Sequence, residues 1–492
     1  MDFEVAYTLD NAQQFWDELD DIVGVECERD DHEAIDNALR SYLKFCGSFK
    51  EEYLQSDIDI VRCTYTLLDS GLFTAHKEYI RRQFVYGLLQ EDDAPSLYLM
   101  AAILHYDGRT NDETFEMMQQ EGAFPRLVEL IQNQVGDGDF ALHRMLLELL
   151  YEMSRMQALT YEDLSAVDDA FVLYLFRIIE ELSDDANDPY HYPVIRVLLV
   201  LNEQYMVLST LTTHRTTALP NRVLSTLSNH NSTLKTFGEN IILLLNREDE
   251  TSLQLLILKL LYLLFSSRST AEYFYTNDLH VLLDVILRNL LDLPAEGASA
   301  LALRHTYLRV LGVMVANSQL SKSGGSYKRA EVRKILNILA REDHDGVAAK
   351  HSANHFAPVD ETTLRLIKRV KGADWLADTE DEIRAAREAR GEDVEAEKEA
   401  EANGGLSPST PTTATTPLGE GQKELARRML GMTVRDAGAS ALSVVEVAAQ
   451  HEKPGVLSPS RQRGFGEEPG VGGIGIEGVM GVEERSRNGG EV

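Results

Sequence analysis

Cysteine is scarce in this chain. Three residues in 492, Cys27, Cys46 and Cys63, are odd in number and widely spaced, with no Cys-x-x-Cys. Neither a disulfide framework nor a cysteine zinc site is suggested, and buried free thiols are the expectation. Cationic side chains are also few: Lys and Arg number 47 against 80 Asp and Glu, a formal net charge of -33. That balance argues against a nucleic-acid partner, because phosphate contacts need Lys and Arg, and against docking on anionic lipid. It leaves solubility, or a partner with a basic surface. The N-terminus, Met-Asp-Phe-Glu-Val, lacks the basic and apolar regions of a signal peptide. The longest apolar stretch, Leu253 to Phe265, contains Gln254 and Lys259. It falls short of the ~20 residues a bilayer span requires, so it reads as a buried core helix, with no membrane insertion. A soluble, intracellular chain is expected.

Catalytic signatures are missing as well. No Gly-x-Ser-x-Gly, Walker loop or His-Glu-x-x-His occurs, and His32-Glu33 lacks a second histidine four residues on. His191, His280 and His305 fall in helical patterns or their caps, where core or surface roles suffice. The fingerprint Gly473-Ile474-Gly475-Ile476-Glu477-Gly478 lies in a Gly-rich stretch with no room for a βαβ unit. No catalytic, cofactor-binding or metal-binding residue is assigned, and the chain is not expected to be an enzyme.

What is present is helical period, from about Asp10 to Ala340, without a convincing run of strict alternation. Leu234, Phe237, Ile241, Leu244 and Leu245 share one helical face. Leu253 to Phe265 is apolar almost all round, as in a helix sandwiched between neighbours. Asn277-Asp278 offers a cap for a helix reaching about Leu291, with Pro294 beyond its end. Pro189 and Pro193 precede the apolar run Val194 to Leu201, where proline tolerates a helix start. Phe124 to Ile131, Phe140 to Met153 and Phe171 to Leu182 read as successive helices upstream. Many helices with short connections, at a spacing near the ~40 residues of armadillo-type repeats, predict an all-α armadillo-like solenoid. A non-repetitive helical bundle is the alternative. Leu198, Leu201, Ile241, Leu245, Leu256, Leu260, Leu283, Ile286 and Leu311 are the predicted core.

The chain divides into four segments: N-terminal helical repeats at 1–188, a leucine-rich part of the same array at 189–343, a loop and charged linker at 344–402, and an acidic, Gly- and Ser-containing tail at 403–492 expected to be disordered. Within the linker, Leu364, Ile367, Val370 and Leu376 allow one further helix or a short docking helix. The tail carries the spacing Pro408-Ser409-Thr410-Pro411, which fits Src-homology-3 grooves through Pro408 and Pro411, without a flanking basic residue.

Four ordered stretches say something more specific. They are Pro189 to Met206 (PYHYPVIRVLLVLNEQYM), Thr236 to Arg247 (TFGENIILLLNR), Glu272 to Leu279 (EYFYTNDL) and Leu303 to Leu311 (LRHTYLRVL). Together they resemble the leucine-rich domain of the WISH/DIP/SPIN family of actin regulators in its fungal form. The resemblance implies an armadillo-like array that binds the actin-related protein 2/3 complex and activates it without a pre-existing filament. The product implied is an unbranched filament that seeds networks at cortical endocytic actin patches. Animal members add an N-terminal Src-homology-3 domain, which is not expected here because helical pattern starts at once; fungal members often have proline-rich tails, whereas 13 prolines occur in this whole chain. Asp374-Trp375-Leu376, with Asp378 and Glu380 to Glu382 after it, loosely resembles the acidic tryptophan-bearing segment of other activators. It is not terminal and no actin-monomer motif precedes it, so the folded array is expected to do the activating. The alternative is a generic armadillo-type adaptor that binds peptides in signalling or trafficking.

Polar residues recurring within the most apolar helices mark the expected contact surface. Asn202, Glu203, Asn240, Arg288, Asn289, Arg304, His305 and Arg309 are the candidates. They either cap helices and satisfy buried carbonyls, or line one face that meets the partner. Arg288, Arg304 and Arg309 stand out on so acidic a chain.

Overall fold

The computed structural model describes residues 9–377, apart from 29–30, 134–139, 182–190, 212–218, 295–296, 323–326 and 342–358. The predicted loop at His344 to Pro358, the charged run from Thr379 and the tail with Pro408 and Pro411 lie outside the described residues. Among those described, the regular structure is helical, with one short 3-10 turn and no strand. This is the all-α helical-repeat solenoid the periodicity predicts.

Six helices form the interior of the array: Ala94–Gly108, Phe140–Met156, His191–Leu211, Thr251–Ser266, Ala298–Asn317 and Glu361–Lys371. Each packs against the next in that order. Shorter helices such as Thr236–Arg247 and Thr276–Asp292 cover them. The reason is legible in composition. From Ser252 to Phe265 every residue but Gln254 is buried, so the Thr251 helix has apolar surface to offer on all sides and requires neighbours on all sides. Covering helices bury one stripe instead: Thr236–Arg247 buries Phe237, Ile241, Ile242 and Leu245. The nine predicted core residues are all buried, and they belong to one continuous apolar cluster that runs from Phe15 to Leu376.

Two details differ from the sequence expectation. The helix after Tyr275 begins at Thr276, so Asn277 and Asp278 occupy its first turn. Extended Tyr275 is the cap residue, and Asp278 acts on the positive end of the helix dipole rather than as a cap. The array also continues past residue 343. Helix Glu361–Lys371 lays Leu366, Ile367 and Val370 inward, and Trp375 and Leu376 are buried after it, while Leu364 is exposed. The helix packs against Ala298–Asn317, where a Cβ at Gly312 would stand in ordinary contact, 3.4 Å from Val370 Cγ2. Burial takes Trp375 away from the role of an exposed activator tryptophan.

Candidate functional site

The polar residues of the leucine-rich segment mostly face inward. Glu203 accepts from Lys259 Nζ at 2.8 Å in the interior. Gln204 Nε2 donates to the carbonyls of Ser154 at 2.6 Å and Gln157 at 2.9 Å, and its Oε1 accepts from Leu159 N at 3.0 Å. Tyr205 donates to the Leu164 carbonyl at 3.2 Å. Asn202 Oδ1 accepts from Asn221 at 2.8 Å, and Asn221 in turn caps the helix Arg222–Asn229. Asn202-Glu203-Gln204-Tyr205 is thus a run of staples from the His191 helix to its neighbours on several sides. Buried polar groups are tolerated only when bonded, and each such bond fixes one register between helices.

About two turns earlier the same helix carries Arg196. Its guanidinium lies 3.7 Å over the Tyr151 ring and 3.2 Å from Glu152, which also binds Arg155 at 2.7 Å. Burial alone would raise the Glu152 carboxyl; Arg155 and Arg196 outweigh it and hold it well below the usual carboxylate range.

The other candidates divide sharply. Asn289 donates to Tyr307 Oη at 2.8 Å and to the Leu245 carbonyl at 3.4 Å. Arg304 donates to the Pro294 carbonyl at 2.5 Å, and its own helix begins after Gly297, whose φ of 112° is a conformation open to glycine. His305 Nε2 lies 2.9 Å from Asp360 Oδ1, and Asp360 caps the Glu361 helix through Thr363 N. Asn240 is half-buried. Arg288 is exposed, 3.0 Å from the Asn289 side chain. Arg309 is half-buried and is faced by Tyr262, Arg365 and Arg369. Burial, reinforced by those two guanidiniums, pushes Arg309 down to about 10.

Arg288 and Arg309 therefore do not form one cluster. Tyr307, two positions before Arg309, reaches Asn289 beside Arg288, and two helical positions turn by ~200°. Instead the fold joins Arg309 to a basic end helix. Along Glu361–Lys371, Arg365, Lys368 and Arg369 are exposed and Lys371 is half-buried. Glu361 and Asp374 flank them. Lys235 adds a separate cationic contact, 4.8 Å over Tyr273 and 5.0 Å over Tyr275. The end helix was missed as a site, although four cations in an 11-residue helix of a chain with net charge -33 was signal enough.

Two of the four resembling stretches, the second and the third, meet in space. Gly238 of the second lies under the third: a Cβ there would stand 2.7 Å from Tyr273 Cε1 and 3.3 Å from Phe274 Cε1. Tyr273 donates to the Leu234 carbonyl, and Lys235 donates to the Tyr273 carbonyl. Among the described residues no cluster of His, Cys, Asp and Glu fits a metal ion, and no helix is long and apolar enough to cross a membrane.

Central helices stacked in order, polar staples between them and a leucine-rich middle define an armadillo-like helical-repeat protein. A profile of the SPIN90/Ldb17 leucine-rich domain matches residues 187–332. Protein dip1 of Schizosaccharomyces pombe is 27% identical over 339 residues, covering 68% of this chain and 89% of its own. Protein LDB17 of Eremothecium gossypii is 29% identical, covering 68% of this chain and 77% of its own. Protein LDB17 of Saccharomyces cerevisiae is 26% identical, with 69% and 76% covered. Residues 187–332 thus match the SPIN90/Ldb17 leucine-rich domain, and about two thirds of the chain is similar to these fungal members of that family.

Proposed function

We propose that the chain binds and activates the actin-related protein 2/3 complex, starting unbranched filaments without a pre-existing filament and so seeding cortical endocytic patches. It acts as a cytoplasmic scaffold with no chemistry of its own. The observation that carries this reading is the family match over the leucine-rich segment, which lies within one continuous array. The basic end face of Arg309, Arg365, Lys368 and Arg369 supplies a contact surface of rare sign on this chain. Arginine is enriched in interface hot spots because its planar donors make several bonds at once. A rigid array that fits the active arrangement of the complex better than the resting one shifts its population toward the active state.

The test is assembly of pyrene-labelled actin with purified complex and no preformed filaments. Adding the chain is expected to shorten the lag in the presence of the complex and to leave it unchanged in its absence. An unchanged lag with the complex present sinks the reading.

A further inference from the structure

The basic end face has a natural occupant in this same chain. Helix Glu361–Lys371 exposes Arg365, Lys368 and Arg369, and Arg309 from the helix beneath joins them. The polypeptide leaves that helix through the turn Asp374–Leu376, which is anchored: Trp375 and Leu376 are buried, and Arg333 donates to the carbonyls of Leu376 at 2.9 Å and Ala377 at 2.8 Å. The next stretch of sequence, 378–401, carries eleven carboxylates against four cationic side chains. Its strongly acidic start, Asp378, Glu380, Asp381 and Glu382, begins one residue past the anchor.

We propose that the acidic segment 378–401 folds back onto the basic face made by Arg309, Arg365, Lys368 and Arg369 and covers it. Reach is no obstacle. Arg365 to Lys371 spans ~9 Å along a helix, and six residues of extended chain cover ~20 Å. Tethering a few residues from its target gives the segment an effective concentration of order millimolar, so individually weak ion pairs are enough to keep it there. Guanidinium groups are also well matched to carboxylates, which accept two parallel hydrogen bonds from one Arg. The concentration of cations on this one helix of a chain with net charge -33 is then explained by its neighbour in sequence. Any acidic partner that uses this face must displace the segment first, so the segment sets a threshold for binding.

Two measurements on the full chain decide it, and neither uses actin or its complex, so they stand apart from the proposed function. The first is zero-length carbodiimide cross-linking at low and high salt, with the monomer digested and its joined peptides identified. At ~20 mM salt Lys368 or Lys371 is expected to be linked to carboxylates of 378–401 within one molecule, and the yield is expected to fall at ~500 mM, where screening shortens the range of the attraction. Exposed Lys77, on a distant helix, is the internal control. Links to 378–401 no more frequent at Lys368 and Lys371 than at Lys77, or found in dimers alone, overturn the proposal.

The second measurement uses the full chain with Glu380→Gln, Asp381→Asn, Glu382→Gln and Glu388→Gln. The probe is a fluorescein-labelled peptide of residues 378–401. The neutralised chain is expected to bind this peptide ~10-fold more tightly than the parent, because the tethered competitor is weakened. Equal affinity for the two chains overturns the proposal.

Discussion

Glu203 and Lys259 are 56 positions apart in sequence, yet they meet at 2.8 Å with side chains 1% and 4% exposed. The pair joins the His191 helix to the Thr251 helix in the middle of the array. A charge at such a site is held by its partner, since the alternative is an isolated ion in a low-dielectric interior. Lys259→Met is therefore expected to cost ~3–5 kcal/mol by stranding Glu203. Adding Glu203→Leu to the same chain should recover most of that loss. Urea unfolding of the two variants and the parent measures it. A double variant no more stable than the single one shows that the carboxylate was not the source of the cost.

Leu260 sits one position from Lys259 in the same helix and is fully buried. Leu260→Ala should destabilise the chain by ~2–5 kcal/mol, the cost of lost contacts plus the cavity left behind. Because the apolar cluster is continuous, the unfolding transition should move as a whole, without a separate early phase. Circular dichroism melts that show two resolved transitions in the variant speak against one continuous core.

Gly238 gives a prediction on packing alone. A methyl group there meets the Tyr273 ring at 2.7 Å, and Tyr273 is pinned by its bond to the Leu234 carbonyl. Gly238→Ala is expected to destabilise by ~1–3 kcal/mol despite alanine's better helix propensity, as overpacking outweighs the backbone gain. Tyr273→Leu in the same chain should remove the clash and make Gly238→Ala harmless. A stabilising effect of the single substitution contradicts this packing.

The His143 imidazole is buried, its Nε2 lies 3.1 Å from Tyr174 Oη, and burial lowers it to about 4. In the unfolded chain the same ring titrates near ~6.5. The unfolded state therefore takes up the proton first as pH falls. This contribution to stability is fully present above ~6.5 and is lost progressively as pH drops towards about 4, by at most ~3 kcal/mol. Denaturation midpoints at pH 7, 6 and 5 should fall more steeply for the parent than for His143→Gln. Parallel slopes remove His143 from the account.

Charge reversal tests the basic face. Arg365→Glu with Arg369→Glu should abolish filament seeding with the complex while leaving the melting temperature within ~4 °C, because both side chains are exposed and a carboxylate in the last helical turn, where Arg369 lies, costs at most ~1 kcal/mol. Lys44→Glu with Lys77→Glu, matched in charge and exposed on other helices, should seed as the parent does. A folded Arg365, Arg369 variant that seeds normally moves the contact elsewhere on the array.

Much of the architecture was legible in the chain itself. The 3.6-residue apolar period, the all-round apolar run of the Thr251 helix and the core leucines come from local pattern, because a helix must bury whatever apolar face it has. The resemblance of four short stretches was equally a property of sequence. The fate of the polar residues was not. Asn202, Glu203, Arg304 and His305 read alike as candidates for a surface, and the fold places all four inside, each bonded to a residue or carbonyl of another segment. Lys259 could likewise be assigned to Glu203 by tertiary structure alone, since no local rule links positions so far apart. The basic face was decided in the same way. Arg365 and Arg369 are written in one short helix, but Arg309 joins them from a helix more than fifty residues earlier. Periodicity determines which side of a helix is buried; which charges meet across helices depends on how those helices stack, and that is set by packing over the whole array.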